Sequence, residues 1–297
     1  MSDNDFVAVH DGDHHANDAL GVAIMQCVKP HLGVMRSRDP RDYSRCAARI
    51  DVGGKYNPDT DDFDHHQEGG AGARLNGVQY AASGLVWGKY GVQICGDLEV
   101  ADLVDSDFIQ AVDAEDTGQC TWREPDETGL APFTFTRAVE AFNVRCDMER
   151  GPDSRLRAFR FAVDYCRKTL ELQISLARTS VSLRDPILGI AQPHDKVLCF
   201  DDDIPWQYTV CKYLPDALFV VYPRSNKSWA VRAVPLTPTS FRLRRSLPVA
   251  WCGKSGPELV AASGVADATF CHIAGFIAIT KTRASALALA ERALPLP

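Results

Sequence analysis

The chain lacks most of the signatures that usually betray an enzyme class. Its ten cysteines are scattered and no two stand at C-x-x-C spacing, so they read as small buried apolar residues of a reducing compartment, with no zinc or redox role. There is no G-x-G-x-x-G for a dinucleotide, no H-E-x-x-H zinc helix and no G-x-S-x-G nucleophile elbow. Gly253-Lys254-Ser255 looks like the end of a phosphate loop, but the glycine that motif needs at position 248 is Pro248. No apolar run approaches the roughly 18 to 20 residues that span a bilayer, and the start, MSDNDFVAVH, is acidic where a leader would be basic. A cytoplasmic protein without a membrane partner is the expectation. Internal repeats, heptads and Pro-rich linkers are also missing.

What is present fits a soluble globular protein. The 297 residues suggest two domains at about 150 residues each, and 45% hydrophobic with 24% charged residues is ordinary for a chain that buries a core. A net charge of -7 argues against holding nucleic acid by bulk electrostatics. That charge is uneven: residues 1–194 carry -11 and the remainder +4. An acidic front and a mildly basic rear suit a metal site facing a surface that holds phosphates.

Apolar patterning places strands at Phe6–His10, Leu32–Arg36 and Arg49–Val52, and helices at Ala19–Val28, Gly84–Tyr90 and Val100–Val112. HDGDHHAND then falls in a strand-to-helix loop, and Asp113–Gly118 in a loop closing the last helix. Leu156, Phe159, Val163, Cys166, Leu170, Ile174, Ala177 and Val181 recur at steps of three or four, a long helix capped by Asp153 or Ser154 and stopped before Pro186. The rear half reads as strands at Val197–Phe200, Leu218–Tyr222, Trp229–Pro235 and Thr269–Ile273, with helices near Glu258–Ala262 and Arg283–Leu294. VPLTPTSFRLRRSLP reads as an ordered loop with three arginines. The expected fold class is α/β with two α/β domains. Residues 1–150 would form a parallel sheet with flanking helices, 151–190 a connecting helix, and 191–297 a smaller second domain.

Six of the eight histidines lie in the first 66 residues. His10, His14, His15 and Asp18 crowd the first loop, Asp51 follows the third strand, Asp64-His65-His66 form a triplet, and Asp113 and Asp116 stand in VDAEDTG. In a parallel sheet, ligands collect beyond the carboxyl ends of the strands, where His10 and Asp51 fall. Imidazole and carboxylate without cysteine suit a hard to borderline divalent ion such as Mn²⁺, Mg²⁺ or Zn²⁺. Phosphoryl chemistry commonly uses two such ions about 3.5 to 4 Å apart, with one carboxylate between them, and Asp51 is the natural candidate.

These motifs carry a resemblance. With IDVGG before it, FDHHQ resembles the DHH phosphoesterase superfamily and, within it, the MYG (melanocyte-proliferating-gene) family of metal-dependent hydrolases. HDGDHHANDAL, RSRDP, IDVGGKYNPDTDDFDHHQ and VDAEDTG follow the family's order, as do WAVRAVP, SFRLRRSLP and FCHIAGFIAITKTRASAL in the rear half. The resemblance implies a DHH-type first domain and a second domain that closes over the site. His10, His15 and position 17 would bind metal, Asp51 would bridge, His65 would complete the second ion, and Asp113 or Asp116 would supply a further carboxylate. His66 would contact the scissile phosphate or protonate the leaving oxygen. Arg232, His272, Gly275, Lys281 and Arg283 would face substrate phosphates.

Two departures stand out. Position 17, an acid in the family, is Asn17, so that Asp18 or His14 takes its place or only one ion binds well. The family's G-F-I-G-G is Gly275-Phe276-Ile277-Ala278-Ile279 here. The implied activity is phosphodiester hydrolysis by metal-activated water, with one or two Mn²⁺ ions (or Mg²⁺ or Zn²⁺), as a 3′→5′ exonuclease on single-stranded RNA or short oligonucleotides. The competing expectations are a binding module weakened for catalysis by Asn17 and a small-molecule phosphatase or pyrophosphatase. Association into a homodimer is left open.

Overall fold

The computed structural model describes residues 5–119, 132–143, 152–192 and 194–294. The chain divides into two compact units, Met1–Ala177 and Arg178–Pro297. In the first, β1 (Phe6–Val9), α1 (Ala16–Val28), β2 (Gly33–Arg36), α2 (Pro40–Tyr43), β3 (Ala48–Ile50), β4 (Tyr56–Asn57) and β5 (Asp62–Phe63) lead into α3 (Ala82–Cys95). Next, α4 (Leu98–Val104) runs through a π-helical turn, Asp105–Ile109, into α5 (Gln110–Asp116), and α6 (Phe135–Glu140) and α7 (Pro152–Ser182) complete the described helices.

The sheet order is β2-β1-β3-β5-β4. Strands β2, β1, β3 and β5 are parallel, but β4 runs antiparallel to β5, so the expected parallel sheet is a mixed one. The reason is length: the four residues from Pro58 to Asp61 can turn a hairpin but cannot make a parallel crossover. Helix α1 lies close over β3 and α3. A methyl on Gly21 would sit 2.7 Å from Ile50 Cγ2, so the absence of a side chain there sets how near α1 comes to the sheet.

Several helices are longer than their apolar patterns indicate. Helix α1 begins at Ala16, which puts Asn17 and Asp18 in its first turn and leaves only the residues before it as loop. Asp113 and Asp116 belong to α5 because the buried Val112 and Ala114 continue its apolar face; Gly118, at φ 75°, follows its end. Asp153 and Ser154 lie inside α7 and do not cap it, because Pro152 tolerates the first helical position. The α7 stripe Phe159, Val163, Cys166, Leu170, Ile174 and Ala177 is buried, and the unit boundary falls within this helix. Helix α7 is therefore largely a packed part of the first unit.

The second unit comprises α8 (Arg184–Ile190), β6 (Val197–Cys199), α9 (Gln207–Tyr213), β7 (Phe219–Pro223), β8 (Trp229–Ala233), α10 (Gly256–Ser263), β9 (Ala268–Cys271), β10 (Ile277–Thr280) and α11 (Arg283–Ala293). Its sheet order is β6-β7-β8-β10-β9, with only β6 and β7 parallel. The alternation of β7 and β8 makes two cores. Phe219, Val221 and Val231 pack with Leu259 and Leu289 on one face, and Val220, Tyr222 and Ala230 with Trp206 and Val210 on the other. The arginine-rich loop is structural. Arg244 donates to the carbonyls of Val210, Cys211, Leu214 and Ala217 around the end of α9, and Arg245 donates to Ala293 at the end of α11. Among the described residues no helix is long and apolar enough to cross a membrane.

The β4–β5 hairpin is tied to α1 and α3 through Asp61, which adopts φ 53°. Its carboxylate accepts from Lys29 Nζ at 2.5 Å, Lys89 Nζ at 2.6 Å and Tyr90 Oη at 2.6 Å. Burial pushes its pKa up, but the three donors outweigh burial and hold it below the ordinary carboxylate value. The ionised form is thus favoured by folding; this contribution is complete above the ordinary value near pH ~4 and is lost as pH falls through the depressed one. Asp61→Asn should cost about 2 kcal/mol in urea denaturation at pH 7, with the gap to the parent closing in acid. A gap that stayed constant down to pH 2 would contradict this.

Candidate metal centre

Strands β1 and β3 are adjacent and parallel, so their carboxyl ends deliver His10 and Asp51 to one place. Asp51 leaves β3 at φ 57°, a left-handed conformation that costs a non-glycine residue energy and turns its carboxylate back toward the sheet end. His10, Asp18 and Asp51 are all buried. His10 Nδ1 lies 2.8 Å from the Asp11 carbonyl, which fixes the proton there and leaves Nε2 as a lone pair. That Nε2 is 3.0 Å from Asp18 Oδ2 and 3.5 Å from Asp51 Oδ2. On the other side of Asp51, His65 Nδ1 is 3.4 Å from Oδ1, and His65 Nε2 reaches Asp116 Oδ2 at 3.2 Å.

Among the described residues two groups have ligand atoms mutually within 4.8 Å: His10, His15 and Asp51, and Asp51, Asp64, His65 and His66. Asp51 belongs to both, the position a bridging carboxylate would take. The residues fit a divalent cation on a second count. His10 Nε2, Asp18 Oδ2, Asp51 Oδ1 and His65 Nδ1 are buried without a hydrogen-bond partner although they face one another at close range. Such atoms are costly to leave bare, and a shared cation satisfies them together. Burial, followed by the charges of Asp18 and Asp116, pushes the Asp51 carboxyl above its usual range. Burial lowers the His10 and His65 pKa values, but the neighbouring carboxylates more than reverse this, so both end above normal. The groups together demand positive charge.

Other members of the first loop face elsewhere. His14 is buried against Phe159, with Nε2 3.3 Å from the Val139 carbonyl, and it exchanges backbone hydrogen bonds with the Asn143 side chain. It does not replace position 17. Asn17 Oδ1, the only atom of that amide able to ligate a cation, accepts from Ser83 N at 2.8 Å. Asp18 takes a double role: Oδ1 accepts from His15 N at 3.0 Å while Oδ2 faces His10. Between the two aspartates of α5 the geometry discriminates. Asp113 Oδ1 accepts from Ser83 Oγ and Gly84 N, and Oδ2 is 2.8 Å from Arg74 Nη1, whereas Asp116 reaches His65. Arg74, held by Asp105, Ser83 and Gly84 were missed by sequence reasoning. Gly84 is required because a Cβ there would overlap Asp113 Oδ2.

His66 has a third environment. Its ring is 62% exposed, and Nδ1 lies 2.7 Å from Asp64 Oδ1, while Asp64 Oδ2 accepts from Gly54 N. The carboxylate orients an accessible imidazole. His66, His15 and Tyr43 line a cleft of about 530 Å³ with Asp51 and Asp116 among its walls.

A family model described as an uncharacterised protein family (UPF0160), MYG1_exonuc, matches residues 6–294. Similar proteins include the MYG1 exonuclease of Rattus norvegicus, 27% identical over 98% of this chain and 86% of its own length. The MYG1 protein of Schizosaccharomyces pombe is 28% identical over 98% of both chains, and that of Chlamydia trachomatis is 27% identical over 94% of this chain and 93% of its own. The chain belongs to the MYG1 family.

The MYG1-type residues expected to face phosphates in the second unit do not form one set. Arg232 pairs with Ile277 across β8 and β10, near the His272–Phe276 turn, whereas Thr280 pairs with Trp229 at the other end. Lys281 and Arg283 follow that far end, beyond a strand that rises roughly 10 Å. Arg283 lies over Trp229, 3.2 Å from Asp201 Oδ1. Arg232 lies over Trp206, and His272 Nδ1 accepts from Ala274 N, which leaves Nε2 as a donor. Gly275 is buried: its N–H goes to the His272 carbonyl, its carbonyl to Leu247, and a Cβ would meet Cys252 Sγ at 3.1 Å. It is a turn glycine at φ 64° with nothing left to offer a phosphate.

The crowded acids give a testable sign. Asp51→Asn removes one buried charge from between Asp18 and Asp116, and should raise the melting temperature of chelator-treated protein by about 2 to 4 °C. A divalent cation such as Mn²⁺ should raise the melting temperature of the parent, and the same change should abolish that rise. A lower melting temperature in EDTA, or an intact Mn²⁺ response, would count against the centre.

Proposed function

We propose that this protein is a metal-dependent phosphodiesterase that acts as a 3′→5′ exonuclease on single-stranded RNA or short oligonucleotides, with Mn²⁺ as its metal. The observation that carries this reading is the convergence of bare ligand atoms from His10, Asp18, Asp51 and His65, with His10 and Asp51 lining an open cleft. The exonuclease names of its MYG1 relatives support it. His10, His15, Asp18, Asp51, His65 and Asp116 would hold the metal. Divalent cations there would supply Lewis-acid polarisation of water and of a phosphoryl oxygen.

The chain's own side chains account for the remaining needs. Hydrolysis joins a water oxygen to phosphorus and breaks the bond to the 3′ oxygen of the preceding nucleotide, which must leave with a proton. His66 stands accessible in the cleft, and Asp64 holds its Nδ1 and so orients the ring, as the acid of a histidine–aspartate pair does. It therefore delivers the proton to the leaving oxygen. A cleft walled by carboxylates repels phosphates unless cations are bound, which couples substrate entry to metal loading. Overall acidity favours a short single strand gripped locally over long duplex.

The test is a time course on 3′- and 5′-labelled oligoribonucleotides with Mn²⁺. The parent should release mononucleotides from the 3′ end, Asp51→Ala should lose at least about 10³-fold in rate, and His66→Gln about 10² to 10⁴-fold. Equal rates in the parent and Asp51→Ala would end the proposal.

A further inference from the structure

Among the described residues, the cleft wall that holds the metal candidates contains three carboxylates, Asp51, Asp64 and Asp116, and a single arginine, Arg38. Its neighbour in sequence, Arg36, is already committed. Arg36 Nε donates to the His10 carbonyl at 3.2 Å, Nη2 donates to Gly12 at 3.1 Å, and the guanidinium lies 4.7 Å from the Phe159 ring centroid. It braces the loop that carries His10. Arg38 has a looser position. Its side chain is 67% exposed, and it meets Asp11 Oδ1 at 3.2 Å, with Asp11 itself 61% exposed. An ion pair so open to water contributes little and exchanges readily.

The geometry points to Arg38 as the substrate-positioning residue of the cleft, holding the phosphate next to the one that is cleaved. This rests on the phosphodiesterase reading of the same site. A guanidinium offers two parallel N–H groups that match two phosphate oxygens, and it keeps its charge at any working pH. Asp11 occupies the guanidinium until a phosphate displaces it. A second phosphate contact outside the metal centre selects a polynucleotide over pyrophosphate or a simple phosphomonoester, and so assigns a substrate class to the cleft.

Binding of fluorescent penta-adenylate, followed by anisotropy in Ca²⁺ at several salt concentrations, tests this apart from turnover. Arg38→Ala should raise Kd about tenfold, and Arg38→Lys should fall between it and the parent. The slope of log K against log salt should become shallower by about 0.7 in Arg38→Ala, the value for one lost phosphate contact on a single strand; a change in local packing alone would leave the slope intact. Asp11→Asn should tighten binding when Arg38 is present and do nothing in the Arg38→Ala background. Parent-like affinity and slope in Arg38→Ala would overturn the assignment. Tight, Arg38-dependent binding by a parent that never cleaves the strand in Mn²⁺ would uphold it while removing the hydrolase reading. Failure of the parent to bind would remove the Arg38 assignment.

Discussion

Buried negative charge with little counter-charge among the described residues is the constraint around which the first unit is arranged. Asp18, Asp51 and Asp116 meet at the carboxyl ends of β1 and β3; of the described basic residues nearby, Arg74 is engaged by Asp105 and Asp113, Arg36 by backbone carbonyls, and Arg38 by an exposed pairing with Asp11. Folding therefore carries an electrostatic penalty, which raises the His10 and His65 pKa values and which a divalent cation offsets. The rest of the unit can be understood as support for that cost. Close packing at Gly21, the Asp61 ion pairs and the buried stripe of α7 supply rigidity that the site itself does not.

Much of this was legible in the sequence where local pattern and site chemistry coincide. His10 and Asp51 follow short apolar strands, so their meeting at one sheet edge follows from parallel topology, and HDGDHHAND marks the neighbouring turn. What was illegible depends on partners distant in sequence. Asp113 and Asp116 are three residues apart on one helix, and only Arg74, 39 positions before Asp113, decides that the first is neutralised by protein while the second faces His65. His14 and His15 are adjacent, and it is Val139, Asn143 and Phe159 that draw the first away from the cleft.

The second unit teaches a complementary lesson. Gly275 and Arg244 carry the family pattern, yet they serve the fold. Gly275 closes a turn against Cys252 and Leu247, and Arg244 and Arg245 cap helix ends. Pattern identifies positions under constraint without saying whether the constraint is chemical or geometric. Strand β10 was not read from local pattern; its pairing with β8 and β9 supplies what local sequence does not.

The central claim is that these acids and imidazoles enclose a cation shared by Asp51. Anomalous diffraction from crystals grown with Mn²⁺ tests it most directly. The account predicts a manganese peak within about 2.0 to 2.3 Å of an Asp51 oxygen, with His10 or His65 nitrogen in the same coordination sphere. Crystals soaked to saturation with no peak at Asp51, or with manganese bound only outside this cleft, would contradict it.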